Sequence, residues 1–529
     1  MRLVTASEMR AVEATASSLG VSPERLLEQA GAAIADRLAV LHGRGRHGLV
    51  LVGKGNNGGD ALVAARHLSV RHGWRLLVAI VAERPAGNHL ADLRTACAEG
   101  EVDVVVAGSG APRGWEERVD TALAEVDVVI DGLLGIGARG NPRGDVAGLL
   151  ARCAASPPGR RQARVAIDVP SGVDADRGTA GEDAFQATRT LATGPAKPGT
   201  FVGAGGALAG RVDVLDIGLP RGAWPGTGAS TPCDDGGTYR VAAREASFLF
   251  PPRPDRSHKG TFGRVAIVGG CARYPGAPVL AALGAIHGGA GLVAVARPRV
   301  ATAVPLPAEA IAIELPDGSG DHFDSAHVGA ILGGAATIRA VVLGPGLGTA
   351  PETVEAVRNL VARLAREAPI VVDADGLNAL AGTMDRDGTR GGTWVVTPHA
   401  AEMARLTGLE IRDVVEDPLT VARATALRWG AVVVLKGAPT VVASPRGTTM
   451  IGAYSNAALA TAGSGDVLSG LIASFLAQGA SPWASAVAGV TVHAVAAEAW
   501  RRDHGNAGMR ASDLAARLPV ARTLVARFG

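Results

Sequence analysis

The sequence predicts an α/β protein made of two successive three-layer αβα blocks, and three observations carry that prediction. Short continuous apolar runs alternate with helical patterns along the chain, as strands buried on both faces of a parallel sheet require. The composition is 47% hydrophobic but only 3% aromatic, so burial must come from many small aliphatic contacts between helices and sheets. The pattern breaks at RGAWPGTGASTPCDDGG, where Gly, Pro, Ser, Thr and Asp displace the apolar residues; such a stretch reads as a linker. The expected organisation is a block over 1–220, a linker over 221–238 and a block over 239–529.

The first twenty residues, MRLVTASEMRAVEATASSLG, read as helix; Glu8 and Glu13 come early, and no apolar core leads to a cleavage site, which argues against a secretory signal. Strands are then expected at HGLVLVG, RLLVAIV, VDVVVAG, VDVVIDG, RVAIDVP, RTLATG and RVDVLDIG. The second block repeats the style with RVAIVGG, GLVAVAR, AVVLGPG, PIVVDAD, TWVVTPH and AVVVLKG, and three helical segments follow Gly465. The apolar stretch Gly276 to Val295 contains Pro278 and His287 and is rich in Gly and Ala. It suits a buried helix leading into a strand better than a membrane span.

Charge narrows the function classes. The net charge is +2, with no run of five like charges, so nucleic acid is not an expected partner and neither is a membrane. Cys97, Cys153, Cys233 and Cys271 form no CxxC pair, which argues against a zinc ribbon or a disulfide framework and for a cytoplasmic protein. Of 52 basic residues only Lys54, Lys197, Lys259 and Lys436 are lysine, each in a Gly- or Pro-punctuated segment. Arg is a planar fork and Lys a point charge on a thin stem, so a retained Lys marks a place suited to a compact ammonium.

In open parallel sheets ligands bind beyond the carboxyl ends of strands, and the informative residues lie there. GKGNNGGDALVAARHL follows the strand HGLVLVG; its glycines allow a turn whose backbone N–H groups converge on an anion at a helix start. The spacing fits neither GxGxxG with its acidic partner nor GxxxxGK[ST]. Asp131 in VVIDGLLGIGARG, and Asp168 with Ser171 in VAIDVPSGVD, mark two further strand ends. Carboxylates there must be paired, hydrated or bound to a cation, and Asn57, Asp131 and Ser171 together offer oxygen ligands for a hard cation.

In the second block, NAALATAGSGDVLSGLIASFLAQG places Gly463 to Gly465 at a helix start with Asp466 just inside it. Amides so placed suit a transferring phosphoryl group, and Asp466 can take a proton from the attacking hydroxyl. An Asp there also stabilises a helix N-terminus, so the surrounding elements matter: Lys436 in KGAPTVV, His399 in TPHAAEM and the turn LGPGLG, all at strand ends.

These motifs carry a family resemblance. GxGNNGGD, DxLLGxGxRG and DVPSGVD, in this order over residues 1 to 220, resemble the YjeF N-terminal domain, the NAD(P)H-hydrate epimerase, with a Rossmann-like fold. The resemblance implies that Asn56, Asn57, Gly58, Gly59, Asp60, Gly135, Ile136, Gly137, Ala138, Arg139, Gly140, Asn141 and Asp168 contact the hydrated nucleotide. It also implies that Asn57, Asp131 and Ser171 hold K+. Ala61, Gly132 and Ile136 depart from the residues usual in the family. Epimerisation at a carbon bearing a hydroxyl and the ring nitrogen needs a proton shuttle; Asp168 is the preferred acid/base and Asp60 the alternative.

SHKGTFGRVAIVGG, YPGAP, GPGLG, TPHAAEM, KGAPTVV and GSGD, over residues 240 to 529, resemble the ADP/ATP-dependent NAD(P)H-hydrate dehydratase of the ribokinase-like superfamily. Substrate is thereby expected at Ala277, Gly348, His399 and Asp466, and the adenine nucleotide at Lys436, Gly437, Ala438, Pro439, Thr440 and Gly465. Asp466 is then the catalytic base, and Mg2+ accompanies ADP or ATP. Together the blocks imply a repair enzyme for NADHX and NADPHX that prefers ADP and assembles as a homo-oligomer. Two other readings stand beside it: a vitamin-precursor kinase of ribokinase-like fold fused to a nucleotide-binding domain, and a first block that only regulates the second.

Overall fold

The computed structural model describes residues 1–527, apart from 82–88, 97–100, 157–161, 225–233, 300–303, 318–320, 365–366 and 385–392. The chain divides into two compact units, Arg2–Gly228 and Ala229–Gly529. Part of the expected linker, 225–233, lies outside the described residues, as do Cys97 and Cys233.

The first unit opens with the helix Ala6–Ser18, started by a capping box in which Thr5 and Glu8 exchange hydrogen bonds. A second helix, Pro23–His42, is capped by Ser22 with Pro at its first position. Both starts satisfy amides that would otherwise lack partners. Among the described residues the sheet has seven strands, in the order 102–106, 75–80, 47–52, 128–132, 163–167, 189–193 and 211–215, and each adjacent pair is parallel.

Alternate residues of these strands feed opposite cores, which is what makes three layers. Val50, Val52, Val128, Ile130 and Ile167 pack with Ile34, Leu38 and Leu62 from helices on one face. Leu49, Leu51, Val129 and Ala166 pack with Val119, Leu123, Leu149 and Leu150 on the other. Strand order reverses between 47–52 and 128–132, where Leu51 pairs with Asp131 and Val52 with Gly132. A crevice opens at such a switch point because the connecting segments leave in opposite directions.

The sheet of the second unit runs through the strands 238–241, 449–452, 441–443, 432–435, 394–396, 370–372, 340–343, 264–268, 292–296 and 310–313. The strand 441–443 is antiparallel to both neighbours, and the other adjacent pairs among these strands are parallel. The helices Ala277–Gly288, Ser464–Ala477, Pro482–His504 and Ala511–Ala526 share one core with Val265, Ile267, Val342 and Val371. The helix Pro351–Leu364 buries Ala356, Val357, Leu360 and Val361 away from that cluster. The switch point lies between 340–343 and 264–268. No helix among the described residues is long and apolar enough to cross a membrane.

Candidate active sites

In the first unit the turn after strand His47–Val52 is tight for a backbone reason. A Cβ on Gly53 would stand 1.8 Å from the Leu133 carbonyl oxygen, and one on Gly58 would stand 1.9 Å from the Gly53 oxygen. Glycine is required because backbone meets backbone there. The helix Asn56–His72 starts from this turn without a side-chain cap, leaving its first amides available to an anion.

A cavity of about 570 Å³ opens here, lined among others by Glu13, Asn56, Asp60, Asp168, Thr193 and Lys197. Asp168 sits in the left-handed region at φ 65, where a non-glycine residue is strained and held by its surroundings. Its Oδ1 accepts from the Lys197 Nζ at 2.5 Å and from the Thr193 amide at 3.2 Å. Lys197 is fully buried, so this is a closed ion pair, and removing either partner strands a charge. Burial, reinforced by Asp168 and opposed by Lys197 and Arg10, holds the Glu13 carboxyl above its ordinary pKa.

Asn57, Asp131 and Ser171 form one connected chain beside the cavity. The Ser171 Oγ donates to Asp131 Oδ1 at 2.6 Å and the Ser171 amide to Oδ2 at 2.8 Å. The Leu134 amide donates to Ser171 Oγ at 2.9 Å, and its carbonyl accepts from Asn57 Nδ2 at 2.7 Å. Asp131 is fully buried, and its pKa is pushed up to about 6 by that burial, with the hydrogen bonds from Ser171 and Leu133 working the other way. Among the described residues no ion pair is made by Asp131. The segment Gly135 to Asn141, with Ile136, Gly137, Ala138, Arg139 and Gly140, is tied to this chain at Gly135, whose added Cβ would be 3.2 Å from the Asn57 Cβ. It stands outside the walls of the 570 Å³ cavity; Gly58 and Gly59 lie in the first turn of the helix Asn56–His72 and are buried.

In the second unit, Gly463 caps the helix Ser464–Ala477 at φ 85, and Asp466 projects from its first turn. The Lys436 Nζ donates to Asp373 Oδ1 at 2.8 Å and lies 3.7 Å from Glu402. A Cβ on Gly465 would lie 3.4 Å from that Nζ, so the glycine lets the helix start approach the ammonium. Burial pushes the Asp466 pKa up to about 8; Asp373 adds to this, Lys436 opposes it, and Asp375 and Glu402 add further. Burial works against the Lys436 charge, but Asp373 and Glu402 outweigh it and hold its pKa above the ordinary value.

Lys436, Gly437, Ala438, Thr440 and Gly465 line a cavity of about 530 Å³ together with Tyr454, Asn456 and His493. Pro439 stands just outside its walls. The other expected contacts lie apart from that cavity. Gly348, at φ 76, donates its amide to Asp375 Oδ2 at 2.8 Å. Ala277 begins its helix within 2.9 Å of where a Cβ on Gly346 would fall. His399 caps a helix: its Nδ1 accepts from the Ala401 and Glu402 amides at 3.1 and 3.2 Å, and its strand end bridges to that of Lys436. Asp373, Glu402, Glu13 and His493 were not singled out from sequence. Asp373 could have been, because it ends the strand PIVVDAD as Asp131 and Asp168 end theirs.

Comparison with known proteins matches both units. The family described as YjeF-related protein N-terminus matches residues 23–199, and that described as NAD(P)H-hydrate dehydratase matches residues 265–520. The bifunctional NAD(P)H-hydrate repair enzyme of Salinibacter ruber is 38% identical, aligned over 100% of this chain and 97% of its own. The enzyme of the same name from Escherichia coli is 33% identical over 94% of this chain and 89% of its own. A solved structure of the ADP/ATP-dependent NAD(P)H-hydrate dehydratase from Bacillus subtilis, co-crystallised with ATP and Mg2+, covers 55% of this chain and 99% of its own, with 28% identity and a TM-score of 0.46.

Proposed function

This chain belongs to the bifunctional NAD(P)H-hydrate repair enzymes, and from that premise we propose how its two sites divide the work. The first unit epimerises the R and S hydrates, and the second dehydrates the S hydrate to NADH or NADPH at the expense of ADP or ATP. The observation that carries the reading is Asp466, a carboxyl with a raised pKa on a glycine-initiated helix whose Gly465 comes up against the Lys436 ammonium.

Hydroxide leaves poorly, so the C6 hydroxyl is first phosphorylated. Asp466 takes the hydroxyl proton, the oxygen bonds the terminal phosphorus, and the bond to the remaining nucleotide breaks. The ring nitrogen lone pair then helps expel phosphate from C6, and loss of a proton from C5 restores the double bond. A base of this kind is typically worth about 10²- to 10⁴-fold in rate. Lys436, and the amides at Gly463 to Gly465, suit the phosphoryl charge; one such donor is worth about 3 kcal/mol in the transition state.

Mg2+ enters in our reading with the nucleotide, held chiefly by its phosphates, as this cation usually is. We assign Ala277, Gly348, His399 and Asp466 to the hydrate, Lys436 to Thr440 with Gly465 to the nucleotide, and ADP as the preferred donor.

In the first unit Asp168 is our acid/base for opening and closing at C6, with Asp60 as the second carboxylate on the same cavity. Asn57, Asp131 and Ser171 fit K+, since Asp131 is fully buried without an ion-pair partner among the described residues and neutral oxygens stand beside it. K+ there would balance the carboxylate next to the turn that receives the substrate phosphates. We further place the protein in the cytosol, in keeping with free Cys153 and Cys271. Exposed Leu409, Ile411 and Val415 support a homo-oligomer.

One assay tests the whole reading: mixed NADH hydrates are incubated with Mg2+ and either ADP or ATP, and absorbance reports restored NADH. Complete recovery is expected. A halt once the S form is consumed removes the epimerase, and no recovery removes both activities. A stable phosphorylated product would instead favour the vitamin-precursor kinase.

A further inference from the structure

His493 lies on the helix Pro482–His504, outside every motif above, yet it lines the cavity that holds Lys436 and Gly465. It is only 7% exposed, and its Nε2 lies 2.9 Å from the Ser464 carbonyl oxygen. A carbonyl oxygen only accepts, so Nε2 must carry the proton and Nδ1 must be the bare acceptor. Among the described residues Nδ1 has no hydrogen-bond partner, yet it is not among the sealed, unsatisfied atoms. Burial, seconded by the Lys436 charge and opposed by the Ser464 bond, drops the pKa of this ring to about 4, so the tautomer persists at neutral pH.

Ser464 is the first residue of the helix that carries Gly465 and Asp466. The Ser464 hydroxyl is already committed to the Leu459 and Thr461 carbonyls at 2.9 and 3.0 Å. Its carbonyl is therefore the handle by which a side chain from another helix can fix this turn. Apart from Lys436, Asn456, Tyr454 and a few hydroxyls, the cavity is lined largely by Ala, Gly, Val and Leu, so the bare His493 Nδ1 is one of its few side-chain acceptors.

We propose that His493 is a positioning residue with two hands: Nε2–H fixes the Ser464 carbonyl and so the aim of Gly465 and Asp466, while Nδ1 accepts a hydrogen bond from a donor on the adenine nucleotide, a ribose hydroxyl or the adenine amino group. Nucleotide occupancy and the geometry of the phosphoryl turn are thereby joined through one ring. This rests on the dehydratase reading given above.

The two hands can be cut separately. Glutamine places an amide near Nε2 and nothing at Nδ1, whereas asparagine places its amide near Nδ1 and does not reach Ser464. His493→Gln should weaken nucleotide binding, measured by calorimetry with ADP and Mg2+, by about 3- to 10-fold, the range for one net hydrogen bond, and should lose less in kcat than His493→Asn does. His493→Asn should bind ADP within about twofold of wild type but lose about tenfold or more in kcat through misaimed groups. His493→Ala should lose both, with a thermal melt to establish that it folds. A purely structural histidine would make Gln and Asn fail alike in both measurements, and that result overturns the proposal, as does normal behaviour of His493→Ala. Calorimetry needs no turnover, so nucleotide binding that ignores His493 refutes this inference even where NADH is restored. Wild-type protein that restores no NADH refutes the dehydratase reading instead.

Discussion

Asp466→Asn should destroy one property and improve another. Asn keeps the shape of the side chain and cannot take a proton, so NADH recovery from the S hydrate should fall by about 10²- to 10⁴-fold. Stability should move the other way. In the folded chain the Asp466 carboxyl is mostly protonated below about pH 8, with the minority carboxylate serving as the base, because burial and the neighbouring Asp373, Asp375 and Glu402 disfavour its charge. An unfolded aspartate ionises at about pH 4. Between those values the folded state binds the extra proton, so stability is lost as pH rises from about 4 to about 8 and is level above that.

At about 1.4 kcal/mol per pH unit the loss has a ceiling of about 5 kcal/mol. Solvent screening and relaxation around the partly buried carboxyl reduce it, which leaves on the order of 1–3 kcal/mol. The asparagine variant carries no such burden. Melts of both proteins at pH 5.5, 7.0 and 8.5 provide the assay, read on the transition that ADP raises, since ligand binding marks the unit that holds it. The advantage of Asp466→Asn should widen with pH across this range. An advantage independent of pH, or a less stable variant at pH 8.5, would refute the electrostatic account of this site.

Other perturbations separate the two units. Lys197→Met strands the buried Asp168 charge, so it should remove epimerase activity and about 3–5 kcal/mol of stability from the first unit, while S-hydrate dehydration persists. Gly58→Ala drives a Cβ to 1.9 Å from the Gly53 oxygen and should likewise abolish epimerisation alone, seen as recovery that stops at the S form. K+ should raise the melting temperature of the first unit at neutral pH, with about 2.7 kcal/mol expected at a hundred times its Kd. That increment should vanish in Asp131→Asn; an equal gain in that variant would remove Asp131 from the cation site.

What the sequence made legible depended on how each feature is encoded. The strands 47–52, 128–132, 264–268 and 432–435 are unbroken apolar runs, and a run needs no knowledge of its partners to be read. The strands 310–313, 441–443 and 449–452 were not foreseen: they are short and lie beside Gly, Pro and Thr, so only pairing with neighbours defines them. The same division holds at the sites. Asp131, Asp168 and Asp466 stand in glycine-rich motifs whose backbone geometry is local, whereas Glu13 and His493 are single residues within long helices. A helix carries no local mark of which face will meet a cavity lined by other elements. Tertiary packing alone brings Glu13 beside Lys197 and His493 beside Ser464. The motif residues are therefore where this chemistry is announced in the chain, and the helix residues that steady them become visible only once the sheet has folded.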